Sequence, residues 1–393
     1  MKKTFKVILP LFLLAVLVIF GAKTARAEDL VPIKTIANSS TSKPSYSESL
    51  IVGTSNCFAV YSVKATATGK MYVDIKAGEN NYSYIYTYIG SDFDGSNFTY
   101  SEKNYGFTAA GETETGKGCF DVTKGNTYYI GVKSSSSYAQ GDTAQLRAYI
   151  YSYANNRTLT ASSSKYTLSS GVKGSSNDYT TLYYKVTPTK TGVMTVTLKN
   201  YGYTGSYGYI TLMNSAKKAL SEEITYSSSG DAYKVRFGVK KGATYYLKVK
   251  TTYVTSSECY KYGIKYTVSA ASDRSIGTKT KALNLKRGAT ATKTLFIAKS
   301  STETDWYKFK VTSKRETVFK VDLTQMRGTS AKVTITVYCG SKKIASTTQS
   351  AGTSYDYTIT NSTTYGKANK GTYYVKITRS TKLSGLYKVK YVK

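Results

Sequence analysis

The chain has 393 residues, with 55 Lys and Arg against 23 Asp and Glu, a formal net charge of +32, and 40% hydrophobic residues. That apolar share can build packed cores and excludes a disordered chain, and the length suits two to four domains at roughly 100–150 residues each. Histidine is absent, which excludes an imidazole base, a Ser-His-Asp or Cys-His nucleophile and a His-ligated zinc.

Lys2, Lys3 and Lys6 precede an apolar run from Val7 to Phe20, and Ala25-Arg26-Ala27 follows. A charged start, a short apolar stretch and an A-x-A site in that order predict a secretory signal peptide over 1–27. The run is shorter than the ~20 residues that span a bilayer, and no second long apolar stretch follows. The mature chain is therefore expected to be secreted, extracellular or cell-wall associated, with no membrane span after signal removal. The Ser/Thr-rich stretch from Asn38 to Ser49 reads as a mobile lead-in.

Beyond it one unit recurs three times. Tyr61-Ser62-Val63 through Thr68-Gly69-Lys70-Met71-Tyr72-Val73 aligns without a gap on Tyr184-Lys185-Val186 through Thr191-Gly192-Val193-Met194-Thr195-Val196, and again on Phe309-Lys310-Val311 through Thr317-Val318-Phe319-Lys320-Val321. A second block follows each first one, at Gly125–Val132, Gly242–Val249 and Gly371–Ile377, each with a Thr-Tyr-Tyr, and an alternating strand trails it at Leu146–Tyr153, Tyr262–Val268 and Leu386–Val392. A repeat of about 120 residues is a domain and not a solenoid turn. The apolar period is two, β-branched residues and Tyr dominate, and Ala67-Thr68-Gly69 and Lys190-Thr191-Gly192 read as hairpin turns. The expectation is an all-β chain of three tandem antiparallel β-sandwich domains, jelly-roll-like, over 28–153, 154–270 and 271–393.

Charge is uneven among these units. Residues 28–153 carry 10 basic and 12 acidic side chains, 154–270 carry 16 and 5, and 271–393 carry 24 and 6. Such a field favours polyanions and weakens with salt. Lys217/Lys218, Lys240/Lys241, Lys286/Arg287, Lys314/Arg315 and Lys342/Lys343 are the clusters expected to hold an anionic polymer.

Of the 40 tyrosines, Tyr82, Tyr84, Tyr86 and Tyr88 share one strand face, a flat amphipathic stripe suited to sugar rings or a peptide triple helix. Most of the others are expected to pack the sandwiches with their hydroxyls at the rim, and one Tyr of each Thr-Tyr-Tyr must face inward. Asp92, Asp94 and Asn97 alternate around Gly95 and offer oxygens to calcium, although the EF-hand order is not met; no other cofactor is expected. Cys57 and Cys119 share the first unit and are the expected disulfide, whereas Cys259 and Cys339 sit in different units and are expected to stay single, Cys339 as a buried residue on the face of Val333, Ile335 and Val337. Ser-x-x-Lys at Ser40/Lys43, Ser162/Lys165 and Ser215/Lys218 lacks the companion motifs of penicillin-binding enzymes. No acid recurs in all three units, and no enzyme is expected.

Asp305-Trp306-Tyr307-Lys308-Phe309-Lys310-Val311, Lys370-Gly371-Thr372-Tyr373-Tyr374-Val375-Lys376-Ile377 and Tyr387-Lys388-Val389 resemble the bacterial pre-peptidase C-terminal domain family. That family has an early Asp-x-Tyr-x-Phe strand, a late Gly-Thr-Tyr-Tyr turn and strand, and an alternating last strand. Asp178, Tyr183, Tyr184 and Gly242–Val249 carry the likeness in the second unit, and Asn56-Cys57-Phe58 replaces the Asp-Trp start in the first. The resemblance implies a jelly-roll-like sandwich, a non-catalytic appendage of secreted enzymes, with relatives that bind collagen or insoluble polysaccharide, several with calcium. No peptidase domain accompanies the units here.

Together these features lead to a secreted, non-catalytic protein of the cell envelope or extracellular matrix, retained on anionic polymer by the second and third units. The alternative is a set of carbohydrate- or collagen-binding modules using tyrosine faces, accessory to a separate secreted hydrolase. No specific nucleic acid is expected as a partner, and the sequence leaves the oligomeric state open.

Overall fold

In this computed structural model the chain is described over residues 34–35, 41, 43–79, 84–94, 98–100, 102–104, 113–114, 120–136, 142–171, 180–201, 207–227, 232–251, 261–274, 277–326, 330–361 and 366–393. The expected signal peptide lies outside them. These residues form strands joined by turns, with one 3-10 turn at Lys279–Lys281.

The longer strands of the first unit are β1 (Ala59–Lys64), β2 (Gly69–Ala77), β3 (Ile85–Gly90), β4 (Thr127–Ser134) and β5 (Thr143–Ser152). The second unit has β6 (Thr167–Ser170), β7 (Thr180–Val186), β8 (Gly192–Asn200), β9 (Tyr207–Asn214), β10 (Ala232–Val239), β11 (Tyr245–Thr251) and β12 (Lys261–Ala270). The third has β13 (Thr292–Phe296), β14 (Glu303–Val311), β15 (Val318–Asp322), β16 (Lys332–Cys339), β17 (Lys342–Ser350), β18 (Ser354–Thr358), β19 (Gly371–Arg379) and β20 (Gly385–Tyr391). Burial alternates residue by residue along β11, β19 and β20, as it does where one face of a strand meets a core and the other meets water.

One strand order occurs three times. Each five-stranded sheet begins with a two-residue entry strand parallel to its neighbour, at Lys34–Thr35, Arg157–Thr158 and Leu283–Asn284. It continues through β1-β4-β3, β7-β11-β9 or β14-β19-β16 to a closing edge strand. The facing layers differ. In the third unit it is a separate sheet, β13-β20-β15-β18, but in the first two it is one nine-stranded sheet whose path runs Phe120–Val122, β2, β5, β6, β12, β8, β10. The join is a parallel contact of Ser152 on β5 with Ser169 on β6, and it crosses the boundary expected at 153/154.

The expected hairpin turns are corrected. β1 and β2 belong to facing sheets, as do β7 and β8, so the Ala67–Gly69 and Lys190–Gly192 segments carry the chain from one layer to the other. Glycine is required there because a Cβ on Gly69 would collide with the carbonyl of Tyr151, and one on Gly192 with that of Ser269. Tyr61, Val63, Met71, Val73 and Ile75 still share one core, since they meet across it.

Three large apolar cores result. The first gathers Val63, Val73, Ile89, Ile130 and Ile150, the second Val186, Val196, Ile210, Leu247 and Ile264, and the third Phe309, Phe319, Ile335, Val375 and Val389. Each fully buried aliphatic side chain contributes about 1.5–3 kcal/mol of transfer free energy. Between the second and third units Val193 packs on Leu295 and Ile297. There the N–H of Ala298 donates to the carbonyl of Gly238 at 2.8 Å.

Several tyrosines bury their hydroxyls inside the cores and not at the rim. Tyr61 donates to the carbonyl of Ile51 at 2.7 Å, Tyr184 meets Tyr262, and Tyr307 meets Tyr387 at 2.7 Å, which in turn donates to buried Asp305. Pairing these groups avoids the ~1–3 kcal/mol cost of an unsatisfied buried polar atom. Burial pushes the Tyr61 phenol up to about 12.

The lead-in is also corrected over residues 43–49. The N–H of Ser47 donates to the carbonyl of Leu146 at 2.8 Å and its Oγ accepts from the N–H of Leu146 at 3.0 Å. Lys43 reaches fully buried Asp74 at 3.1 Å, which also takes Arg147 at 2.8 Å and the Tyr149 hydroxyl at 2.8 Å. Arg147 lies over the Tyr46 ring, 4.3 Å from its centroid.

Candidate functional site

The Thr-Tyr-Tyr strand builds the recurring surface. The first tyrosine of each pair, Tyr128, Tyr245 or Tyr373, is buried, and the second, Tyr129, Tyr246 or Tyr374, is half-buried on the outer face. The inward ring also holds the turn before it. Its hydroxyl accepts from the N–H of Thr123 at 2.8 Å in the first unit and from that of Lys240 at 3.0 Å in the second. In the third it donates to Asn361 Oδ1 at 2.9 Å, and burial pushes the Tyr373 phenol up to about 12.

Register sets what surrounds the outward tyrosine. In the second unit Tyr246 lies between Lys185 and Met213, Lys248 between Tyr183 and Thr211, and Lys250 between Thr181 and Tyr209. In the third Tyr374 lies between Lys308 and Tyr338, and Lys376 between Trp306 and Thr336. In the first Tyr129 lies between Ser62 and Gly90, Gly131 between Val60 and Tyr88, and Lys133 opposite Tyr86. No carboxylate occurs in these matched rows.

Lysines then settle over the rings. Lys217 Nζ stands 4.4 Å from the Tyr183 centroid and 5.2 Å from that of Tyr246, and Lys250 stands 5.0 Å from Tyr209. In the third unit Lys279 stands 4.7 Å from Tyr374 and 5.1 Å from Tyr338, with Lys376 5.9 Å from Trp306. In the first Lys133 stands 5.0 Å from Phe58 and 5.6 Å from Tyr88. Each contact is worth about 0.5–1 kcal/mol at an exposed site. Lys217 is fixed by a bond to Asn156 Oδ1 at 2.8 Å, and Lys279 by one to the carbonyl of Gly340 at 2.7 Å. Such a face offers flat rings for stacking beside ammonium groups for anions.

The tyrosine stripe is only partly available. Tyr84 is 45% exposed, Tyr86 half-buried and Tyr88 buried at 6%, while Tyr82 lies outside the described residues. After Gly90 the chain folds back through a short pair, Asp92–Phe93 with Phe98–Thr99. It lays Phe98 over Gly131, where a Cβ would collide with the ring. Phe58 and Tyr100 close on Tyr88 at 5.1 and 4.6 Å between centroids.

Asp92 and Asp94 are exposed beside that short pair, and Asn97 lies outside the described residues. Among the described residues no three His, Cys, Asp or Glu side chains gather as a metal site. Cys57 is an exposed free thiol, its Sγ 3.3 Å from Thr54 Oγ1 and not bonded to a second sulfur. Its expected partner Cys119 lies outside the described residues, as does Cys259. Cys339 is free and half-buried against the third core.

Lys217, Lys218, Lys286, Arg287, Lys342 and Lys343 are all exposed. Lys217 joins the second unit's ring face, and Lys343 pairs with Tyr338 at the margin of the third unit's. Tyr183, Tyr209, Tyr338, Lys279 and the outward tyrosines are members of these faces beyond the candidates expected from sequence. Their signal was the alternate residue after the Thr-Tyr-Tyr of the second and third units, which places Lys248, Lys250 and Lys376 on the outer face beside the second tyrosine.

No family model matches the chain, and no curated protein matches it. Among solved structures it is similar to tripeptidyl peptidase 2 at 9% identity and a TM-score of 0.25, over 87% of this chain and 32% of that one. It is similar to a triple jelly roll protein of an archaeal virus at 10% identity and a TM-score of 0.19, over 84% and 81%. A third likeness is to the M60 catalytic domain with CBM51 domains of Clostridium perfringens ZmpB, at 10% identity and a TM-score of 0.17, over 85% and 33%. The chain thus spans about a third of the first of these proteins, and likenesses this loose assign it no activity.

Proposed function

We propose that this is a secreted, non-catalytic binding protein that attaches to anionic polysaccharide of the cell envelope or extracellular matrix. The observation that carries the proposal is the ring-and-lysine face of the second and third five-stranded sheets, whose matched rows hold no carboxylate, Glu223 meeting Lys250 from the margin at 3.5 Å. A sugar polymer bearing acid groups answers both halves of it, its rings stacking on Tyr or Trp and its anions meeting Lys. The charge gradient supports stronger retention by the second and third units. The lack of histidine and the resemblance to non-catalytic sandwich modules agree with attachment as the whole activity. Weak faces on one chain add through effective concentration.

The test is retention of the mature protein on insoluble acidic and neutral polysaccharide across a salt series. Retention on the acidic polymer is expected to fall with salt, and Lys217→Ala/Lys250→Ala and Lys279→Ala/Lys376→Ala are each expected to weaken it. Equal retention on the neutral polymer, or no effect of either pair, overturns the proposal.

A further inference from the structure

The join between the first two units leaves a cleft of about 420 Å³ lined by Lys43, Tyr151, Lys165, Tyr166, Leu168 and Tyr201, within the ~300–1,000 Å³ usual for small-molecule sites. Its walls come from four stretches of chain, the lead-in, β5, the 165–168 segment and the end of β8. A larger cleft of about 800 Å³ where the second and third units meet is lined by Thr191, the 270–274 connection, Lys293 and Leu386 and has no ring to stack on.

The smaller cleft is held in shape before anything enters. The N–H of Ser162 donates to the carbonyl of Tyr266 at 2.9 Å, the N–H of Lys165 to Ser162 Oγ at 2.8 Å, and Lys265 Nζ to the carbonyl of Ser163. Tyr166 lies on the sheet because residue 263 is glycine, where a Cβ would stand only 3.0 Å from the Tyr166 Cβ. Tyr151 and Tyr201 meet at 5.9 Å between centroids. Lys265 stands 4.3 Å from the Tyr166 ring and Lys199 5.3 Å from the Tyr201 ring. Lys165 is exposed, and Lys43 Nζ, salt-bridged to Asp74, keeps 35% of its side chain in solvent.

We propose that this cleft is a subsite for one acidic sugar ring, the ring lying against Tyr166 and Tyr201 and its carboxylate, sulfate or phosphate meeting Lys165 and Lys43. The proposal rests on the polysaccharide reading above but concerns a different sheet, so the two can fail separately. An acidic sugar fits better than a bare anion because the floor is aromatic, and better than a neutral sugar because lysines stand over or beside every ring but one.

The test is calorimetric titration of the full mature chain with a soluble uronic-acid oligosaccharide, a neutral glucan of equal length, inorganic phosphate and single-stranded DNA. The uronate oligomer is expected to bind more tightly than phosphate or the glucan. Lys165→Glu and Tyr166→Ala should each weaken it about tenfold, near 1.4 kcal/mol, while Lys320→Ala, on β15 away from the cleft and the ring faces, leaves it unchanged. The subsite is refuted if Lys165→Glu binds the oligomer as well as the parent, if the glucan binds equally, or if DNA binds more tightly with the same dependence on both substitutions. Oligomer binding that survives while retention on insoluble polymer is lost upholds the cleft and refutes the repeated faces.

Discussion

Arg379 is fully buried, and replacing it with Met tests how the third core tolerates charge. Its Nε lies 3.2 Å from Glu303 Oε2, with side-chain exposures of 0% and 7%. Its Nη2 donates to the carbonyl of Ile297 at 3.0 Å and its Nη1 to that of Ser380 at 3.2 Å. Methionine roughly fills the space but strands Glu303 with Lys299, a partner at 2.9 Å that is itself 47% exposed. Breaking a buried pair costs about 3–5 kcal/mol, and the remaining lysine argues for the lower end, about 3 kcal/mol. For a unit of this size that is a drop of about 10 °C in the transition assigned to it. Scanning calorimetry on Arg379→Met and on Arg379→Met/Glu303→Leu checks both halves, because removing both charges should recover all but about 1 kcal/mol. A single substitution that lowers the transition by less than about 3 °C, or a double one costing the sum of its parts, refutes the reasoning.

Two further outcomes follow from other contacts. Burial alone would raise the Asp322 carboxyl, but bonds from the Thr324 hydroxyl, Lys388 and the Thr324 N–H hold it down at about 2. Its unfolded value is near 4, so its contribution, about 1 kcal/mol after solvent screening, is present above pH ~4 and lost as pH falls toward ~2. Urea midpoints of parent and Asp322→Asn should therefore differ at pH 6 and converge near pH 2. Gly238→Ala would drive a Cβ into the carbonyl of Phe296, costing about 1–3 kcal/mol at the contact between the second and third units. Limited proteolysis within 271–282 should be faster in that variant, and an unchanged rate would show that the contact does not hold the segment.

Much of the strand content was legible because alternation writes itself into sequence. The Tyr61/Val63 and Met71/Val73 runs each carry period two, and that one tyrosine of every Thr-Tyr-Tyr faces inward could be demanded in advance, though not which. Which sheet a strand joins could not. The same pattern serves a hairpin and a crossing between layers, and the deciding fact, a carbonyl pressed against Gly69 or Gly192, belongs to a distant strand. The tyrosine stripe was misjudged for a related reason, since Tyr88 is covered only when Gly131 leaves room for Phe98. The lead-in looked mobile from its Ser and Thr content, yet its Lys43, Tyr46 and Ser47 meet Asp74, Arg147 and Leu146, partners that lie far along the chain. The lysine clusters were visible as runs, and Lys217 of one pair does stand over the rings, but Lys250 and Lys279 stand there too and belong to none of the expected pairs.

The shared sheet alters how heat or denaturant meets the first 270 residues. Among the described residues β6 pairs with β5 on one side and β12 on the other, and Tyr72, Tyr149 and Tyr151 pack with the second unit's core. Melting the first unit strips that edge and bares those rings. The two halves are therefore thermodynamically coupled, and the natural cooperative block extends across the repeat boundary.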